Sequence, residues 1–357
     1  METSINMHSK TIFPIILLLS VLLSCEKKPF SIHTQNKEDI TIVYGLLDPQ
    51  ENTHHIKIYK GFLTGGNAYE AAKDIHNYSY IDSIDVYMEE YNGDQLVRTI
   101  PFDTTTSIPK DSGTFAYPLQ VLYQCQATLN PKYHYALYIK NKYSPKIVKC
   151  ETDMVGSIHL INPILTASRL ISIGEKQQII RYKADANIYY CEVSLHYYYT
   201  EKLADGTNRC GNPVHWKVGS TQGASTSGNS MQDLSVSYQG YLFFQKLGSE
   251  IEDDPNVTSR HTDSIVIQIH KAGEDMYKYI LASSASTGLN QDRLTYTNIR
   301  SYASEPDLLA GRTDNLALGL FSSLSDDRFT FRDFGKMSRD SLFYGRFTKH
   351  LHFTDIY

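Results

Sequence analysis

The sequence predicts a mainly β fold, and three observations support this prediction. Tyrosine is abundant, with 27 Tyr and 14 Phe against a single Trp. Tyr suits a half-buried pleated surface, because its ring packs while its hydroxyl meets water. Several segments alternate apolar and polar residues, which places the apolar side chains on one face of a sheet. Between two of these segments lies Asn92-Gly93, a pair that tolerates the positive φ angles of a tight hairpin.

The first part of the mature chain is expected to form a β-sandwich domain, immunoglobulin-like or similar, over residues 40–155. The alternating residues Ile40, Ile42 and Tyr44 predict its first strand and place these three side chains on one face. A short helical turn is expected at residues 69–75. Further strands are predicted at residues 84–88, 96–100, 133–139 and 145–155.

Residues 156–357 are expected to form a second β-rich domain with a few short helices. Strands are predicted at residues 188–199 and 264–270. Residues 274–282 predict a helix with acidic residues in its first turn, and residues 219–230 have the low-complexity composition of a flexible loop. The residues that share one face of another predicted helix are Gly240, Phe243, Phe244, Leu247 and Ile251.

The N-terminus has the pattern of an export signal. Its apolar stretch of about a dozen residues is shorter than the roughly 20 that a membrane-spanning helix needs, so we predict a cleavable signal peptide at residues 1–24. Leu22-Leu23-Ser24-Cys25 resembles the lipobox of bacterial lipoproteins, in which diacylglycerol alkylates the Cys thiol. The resemblance implies lipidation of Cys25, and the alternative is an ordinary secretory signal with a chance Cys at its end. Residues 25–39 are mostly polar and are expected to be a linker.

Charge and motifs exclude several functional classes. The formal net charge of −5 favours neither nucleic acid nor an anionic bilayer surface as a partner. The chain has no Gly-x-Ser-x-Gly elbow, no His-Glu-x-x-His zinc helix, no Walker loop and no EF-hand loop. We therefore expect no cofactor and no familiar catalytic activity.

Four cysteines follow Cys25 in a chain that is expected to enter an oxidising compartment. Proximity in sequence favours two disulfides, Cys125 with Cys150 and Cys191 with Cys210, and the alternative is that these residues are free and buried. No close Cys-x-x-Cys pair is present, which excludes zinc-ribbon and thioredoxin-type sites.

Two groups of residues are weak candidates for metal binding. His350 and His352 would share one face of a strand near Asp355, although two such histidines near a terminus are commonly solvated. Acidic clusters attract calcium through carboxylate oxygens, and the alternative is a solvated acidic loop. The candidate acidic residues are Asp326-Asp327 with Asp333, and Glu252-Asp253-Asp254.

Several short stretches resemble an uncharacterised lipoprotein family of Bacteroidota, known only as a domain of unknown function. They are IVYGLLDP at residues 42–49, HIKIYKGFL at 55–63, YTNI at 296–299 and GLFSS at 319–323. The resemblance implies an exported protein with an N-terminal sandwich-like β domain. It also implies, for some members, association with TonB-dependent outer-membrane receptors. No catalytic residues are established for the family, so none are carried over.

These observations predict a membrane-anchored binding or assembly module, accessory to a TonB-dependent outer-membrane transporter. Its expected location is the outer membrane, on either the periplasmic or the cell-surface side. The expected partners are the membrane, through the lipid, and an outer-membrane receptor or a glycan or peptide ligand. The alternatives are a structural or adhesive surface component that docks by strand-edge pairing, and a hydrolase with an unrecognised site.

Overall fold

The computed structural model describes residues 40–62, 66–223, 230–285 and 296–355. The predicted signal peptide, the linker and Cys25 lie outside these residues. No helix within the described ranges is long and apolar enough to span a membrane.

Strands dominate the described residues and the helices are few and short, which confirms the mainly β prediction. The strands are β1 Thr41–Leu47, β2 Thr53–Lys60, β3 Ile84–Asn92, β4 Gln95–Pro101, β5 Asp103–Thr105, β6 Leu122–Gln126, β7 His134–Asn141, β8 Ile147–Asp153, β9 Ile158–Asn162, β10 Leu170–Ile171, β11 Gln177–Ala184, β12 Tyr190–Leu203, β13 Asn208–Cys210, β14 Val214–Gln222, β15 Gln232–Gln239, β16 Val257–Ala272, β17 Arg300–Tyr302, β18 Ala317–Phe331 and β19 Asp333–Phe334. The helices are α1 Ala68–Ala71, α2 Gly240–Glu250, α3 Glu274–Ala285, α4 Glu305–Leu309 and α5 Lys336–Tyr344, with 3-10 turns at Ile75–Asn77 and Lys349–Leu351.

The N-terminal region is a β-sandwich. A five-stranded sheet in the order β17-β8-β7-β3-β4 faces strands β1, β2 and β6 of a larger sheet across one hydrophobic core. Met88 and Leu137 of the smaller sheet and Val43 and Ile56 of the larger one are fully buried there. The predicted hairpin is confirmed, because β3 and β4 pair antiparallel around Gly93, whose φ is +59°.

The first strand is where it was predicted, and the face shared by Ile40, Ile42 and Tyr44 is the one that points away from the core. Val43 and Leu47 are buried in the core, while Tyr44 and Ile40 are about 40% exposed. Apolar residues occupy both faces of β1, so alternation alone does not identify the buried one. The pairing of β1 with β2 on one side and with β18 on the other decides which of its faces is buried.

The larger sheet runs through both predicted domains. Its order is β13-β12-β16-β18-β1-β2-β6-β5, and β14 pairs with β12. Strand β1 pairs in parallel with the first half of β18, so strands that are far apart in sequence are neighbours in the sheet. Residues 39–357 form one compact unit, and the proposed boundary between residues 155 and 156 remains a prediction.

A second hydrophobic core lies on the other half of the large sheet. There β12 and β16 pack against the three-stranded sheet β15-β11-β9 and helices α2 and α5. The predicted face of α2 is confirmed, since Phe243, Phe244 and Leu247 are buried. Helix α3 begins at Glu274 as predicted and extends to Ala285.

Two local predictions need correction. The helical turn expected at 69–75 is split into α1 and the 3-10 turn Ile75–Asn77. The loop expected at 219–230 begins later, because Gly219–Gln222 belong to β14 and pair with β12. Residues 224–229 lie outside the described residues.

Candidate functional site

The candidate site is the polar face of strands β14, β12, β16 and β18, which we call the histidine face. Successive side chains of a strand point to opposite faces of its sheet. Leu195 and Ile267 therefore face the second core, while His196 and Gln268 face the other side. The residues of the histidine face used below are Glu192, His196, Tyr198, His215, Lys217, Gln268, His270, Asp326 and Arg328.

Two histidines meet at the centre of β12 and β14. His196 and His215 are direct cross-strand partners, and their Nδ1 atoms are 2.5 Å apart. Their rings meet edge to face with centroids separated by 4.5 Å, and the ring of Tyr198 contacts His215 from the side. His215 is exposed, whereas His196 is half-buried. The backbone register holds this pair together, because the two residues lie on adjacent hydrogen-bonded strands.

His196 has an unusual environment. Its Nε2 atom is buried and has no hydrogen-bond partner, and it is the one such side-chain nitrogen or oxygen in the described part of the chain. Leaving a buried polar atom unpaired costs about 1–3 kcal/mol. Burial lowers the pKa of His196 below its ordinary value, and the adjacent His215 lowers this pKa further. The ring is therefore a neutral imidazole near neutral pH.

Charged groups on the histidine face are arranged in pairs. The Gln268 amide donates to Asp326 Oδ2 at 2.7 Å, and the ring of His270 hydrogen-bonds the other oxygen of Asp326. Lys217 forms an ion pair with Glu192 beside the two central histidines. Lys217 and Glu192 neutralise each other and Asp326 is held by two hydrogen bonds, so the imidazole nitrogens are the distinctive chemistry of the face.

The predicted metal site near the C-terminus is not formed as expected. The expected strand is not present at these residues, because His350 lies in a 3-10 turn and His352 adopts a left-handed conformation with φ +57°. Asp355 instead accepts a hydrogen bond from Arg339 at 2.9 Å. The described residues contain no group of three or more His, Cys, Asp or Glu that could hold a metal ion.

The predicted calcium ligands are dispersed. Asp326 and Asp327 belong to β18 and not to a loop, and they point to opposite faces of the sheet. Asp327 binds Lys271 at 2.6 Å, while Asp326 belongs to the histidine face. Asp333 lies 3.9 Å from Arg339, and in the other cluster Asp254 binds Arg209 at 2.8 Å.

All four described cysteines are free, so neither candidate disulfide is formed. Cys210 pairs in register with Thr200, nine positions along β12 from Cys191. At about 3.3 Å per residue this separation far exceeds the roughly 7 Å between Cα atoms that a disulfide allows. Cys125 and Cys150 are buried apolar residues of the first core.

A groove beside helix α5 offers weaker chemistry. It has a volume of about 460 Å³ and is lined by Arg339, Phe343 and Asp355. Arg339 and Asp355 bind each other across it, so their charges are already neutralised. We therefore favour the histidine face.

Sequence reasoning did not identify the three histidines of this face. The available signal was that His196, His215 and His270 each follow or precede a core-facing strand residue, which places them on the opposite face. Their proximity depends on the order and register of β14, β12, β16 and β18, which no local pattern specifies.

Comparisons with known proteins do not identify the chain. No protein-family model matches it, and no curated protein matches it significantly. Among solved structures it is similar to "Crystal structure of CBD12 from CALX1.2", with 9% sequence identity and a TM-score of 0.15, over 80% of this chain and 99% of that chain. A TM-score this low carries no argument about fold or function.

Proposed function

We propose that this protein is an exported, membrane-anchored binding module that captures a ligand or partner beside an outer-membrane transporter. The observation that carries the proposal is the unpaired, buried Nε2 of His196 at the centre of an open polar face. A polar atom without an internal partner favours a partner from outside, because pairing it recovers the cost of its burial.

The form of the histidine face supports binding over catalysis. It spans four adjacent long strands and holds acids, bases and imidazole rings in fixed register. Hydrogen bonds and ion pairs between neighbouring strands fix the positions of these side chains. A fixed arrangement of polar groups suits recognition of a polar surface. Sites on regular strands keep their side chains in place more firmly than sites on loops.

Site-specific photocrosslinking tests where the partner binds. A photoreactive residue at Arg328, which is exposed on the histidine face, should form an adduct with an outer-membrane transporter in mild detergent. The matched control is Gln95, which is exposed on β4 of the other sheet. An adduct of equal yield from both positions, or none from Arg328, contradicts the proposal.

The anchor is tested separately. The lipobox resemblance at residues 22–25 supports lipidation of Cys25. Metabolic labelling with palmitate should mark the wild-type protein and a Cys210→Ser control, while Cys25→Ser should remain unlabelled and leave the membrane fraction. Labelling of Cys25→Ser at the wild-type level contradicts the anchor.

A second candidate function is a structural or adhesive surface component. Strand β4 is the outermost strand of the five-stranded sheet, and its Leu96 and Val97 are each 48% exposed. An exposed apolar edge strand favours pairing with another chain, and a charged residue there opposes it. Crosslinking on intact cells should then give a ladder that Val97→Lys abolishes and Val97→Thr retains. If the wild-type protein gives a single monomer band after crosslinking, it does not have this function.

A further inference from the structure

We propose that His196 and His215 together bind a divalent transition-metal ion of the Cu²⁺ or Zn²⁺ class. The inference rests on the proposed binding function, because it names the ion that the same face takes. The observation behind it is the convergence of two imidazole Nδ1 atoms to 2.5 Å on adjacent strands. Imidazole nitrogen is a preferred ligand for both ions.

The geometry of the pair suits a shared ion. Bonds of about 2.0–2.1 Å to a tetrahedral ion place two ligand nitrogens about 3.3 Å apart. The Nδ1 atoms of His196 and His215 must therefore separate by less than about 1 Å. The exposed ring of His215 can rotate to do this, because the torsion between its Cβ and the ring is broad.

The ion would replace a hydrogen bond that the two rings now share. In the metal-free pair the Nδ1–H of one ring donates a hydrogen bond to the Nδ1 of the other, so one nitrogen carries the proton and the lone pair of the other accepts it. With the ion between them both Nδ1 atoms are deprotonated, and each ring carries its proton on Nε2. No change in net protonation is needed when both rings start neutral.

The protein would supply two ligands and leave the other positions open. No third histidine, cysteine or carboxylate among the described residues completes a group that could enclose a metal ion. Water or an incoming ligand fills the remaining positions, as in open zinc sites and not in closed structural ones. Glu192 and Lys217 balance each other nearby, so the affinity comes from the two nitrogens. For such a site Cu²⁺ is expected to bind more tightly than Zn²⁺.

The test is isothermal titration of the full chain, prepared without a histidine tag, with CuCl2 and with ZnCl2. Wild type should bind one ion with a Cu²⁺ affinity that His215→Gln and His196→Gln each weaken by about tenfold or more. His159→Gln is the matched control, because His159 is an exposed strand histidine elsewhere, and it should leave this affinity unchanged. The Cu²⁺ EPR spectrum should show coupling to two nitrogens in wild type and to one in His215→Gln.

The proposal is overturned if His215→Gln binds Cu²⁺ as tightly as wild type with the same EPR spectrum, or if wild type binds no ion at this site. His215 is exposed, so its variant decides the question even if His196→Gln does not fold. Photocrosslinking at Arg328 in the presence of EDTA separates the two proposals. An adduct that persists in EDTA leaves the binding function standing, and the metal site is then rejected if wild type binds no Cu²⁺ in the titration without EDTA.

Discussion

The side chain of Asn298 forms two hydrogen bonds with the backbone of Phe321. Its Oδ1 accepts from the Phe321 amide at 2.9 Å, and its Nδ2 donates to the Phe321 carbonyl at 2.6 Å. The two residues lie in the sequence stretches 296–299 and 319–323. Phe321 also lies opposite Gly45 of the 42–49 stretch. The three stretches therefore meet around one point of the first core, and their roles there are structural.

Replacing Asn298 with Ala should destabilise the protein strongly. The substitution leaves a backbone donor and a backbone acceptor of Phe321 without partners, which we expect to lower the free energy of unfolding by about 2–4 kcal/mol. Urea denaturation measures this loss. Asn212→Ala, at an exposed position, is the control and should change stability by less than about 0.5 kcal/mol. Equal stabilities for the two variants would show that the Asn298 bonds contribute little.

Gly319→Ala should prevent β1 from docking beside β18. Gly319 has φ +118°, and an added Cβ would lie 1.9 Å from the carbonyl oxygen of Val43. We expect a loss of at least about 3 kcal/mol, visible as poor soluble yield and a lower melting temperature. Gly113→Ala, where nothing lies near the added Cβ, should behave as wild type. Normal stability of Gly319→Ala would contradict this backbone approach.

Arg260→Met should also be strongly destabilising. Arg260 is 1% exposed and donates to Glu201 Oε1 at 2.9 Å, to the Leu351 carbonyl at 2.8 Å and to the Glu252 carbonyl at 2.7 Å. Breaking a buried ion pair by removing one partner costs about 3–5 kcal/mol, measured here by urea denaturation.

The control for this substitution is Arg312→Met, which removes an exposed ion pair with Asp307. It should cost no more than about 1 kcal/mol. Equal costs for Arg260→Met and Arg312→Met would mean that burial adds nothing to the Arg260 contacts.

His134 should make stability depend on pH in the alkaline range. A hydrogen bond from the ring to Asp153 at 2.8 Å, and a second interaction with Glu151, raise the pKa of His134 to about 9. The unfolded value is about 6.5, so the stabilisation is complete below that pH and is lost as the pH rises through 9.

The experiment compares wild type with His134→Gln in urea at several pH values. The difference in unfolding free energy should be largest near pH 6 and vanish near pH 10. It should not exceed about 1 kcal/mol, because the imidazole is more than one-third exposed. A difference that stays constant over this range would exclude the ionised His134 pair as its source.

Local periodicity predicted those elements in which one face alone is apolar. In β3 the residues Ile84, Val86 and Met88 are buried, and their strand and face were both predicted. In β1 both faces are apolar, so the strand was predicted but its buried face was not. The difference is physical, because the core-facing side of β1 is set by its partners β2 and β18 and not by its own sequence.

The histidine face could not be predicted from local sequence patterns, because it also depends on how strands pair. His196 and His215 are 19 residues apart, and a register shift between Val193 and Ser194 determines which residues of β12 and β14 are paired. A slip of one residue would move either histidine to the opposite face. Sequence alone therefore indicated the strands and their alternation but not the pair.

The parallel pairing of β1 with β18 has a consequence for how the chain reaches its native state. Strand β1 is synthesised well before its partner β18. The two ends of a very long loop must therefore meet before that part of the sheet closes. A polypeptide truncated before Ala317 would leave the backbone N–H and C=O groups along one edge of β1 without partners. Correct folding of this protein therefore depends on the residues from Ala317 onward, because chains that lack them present an aggregation-prone edge that β18 otherwise covers.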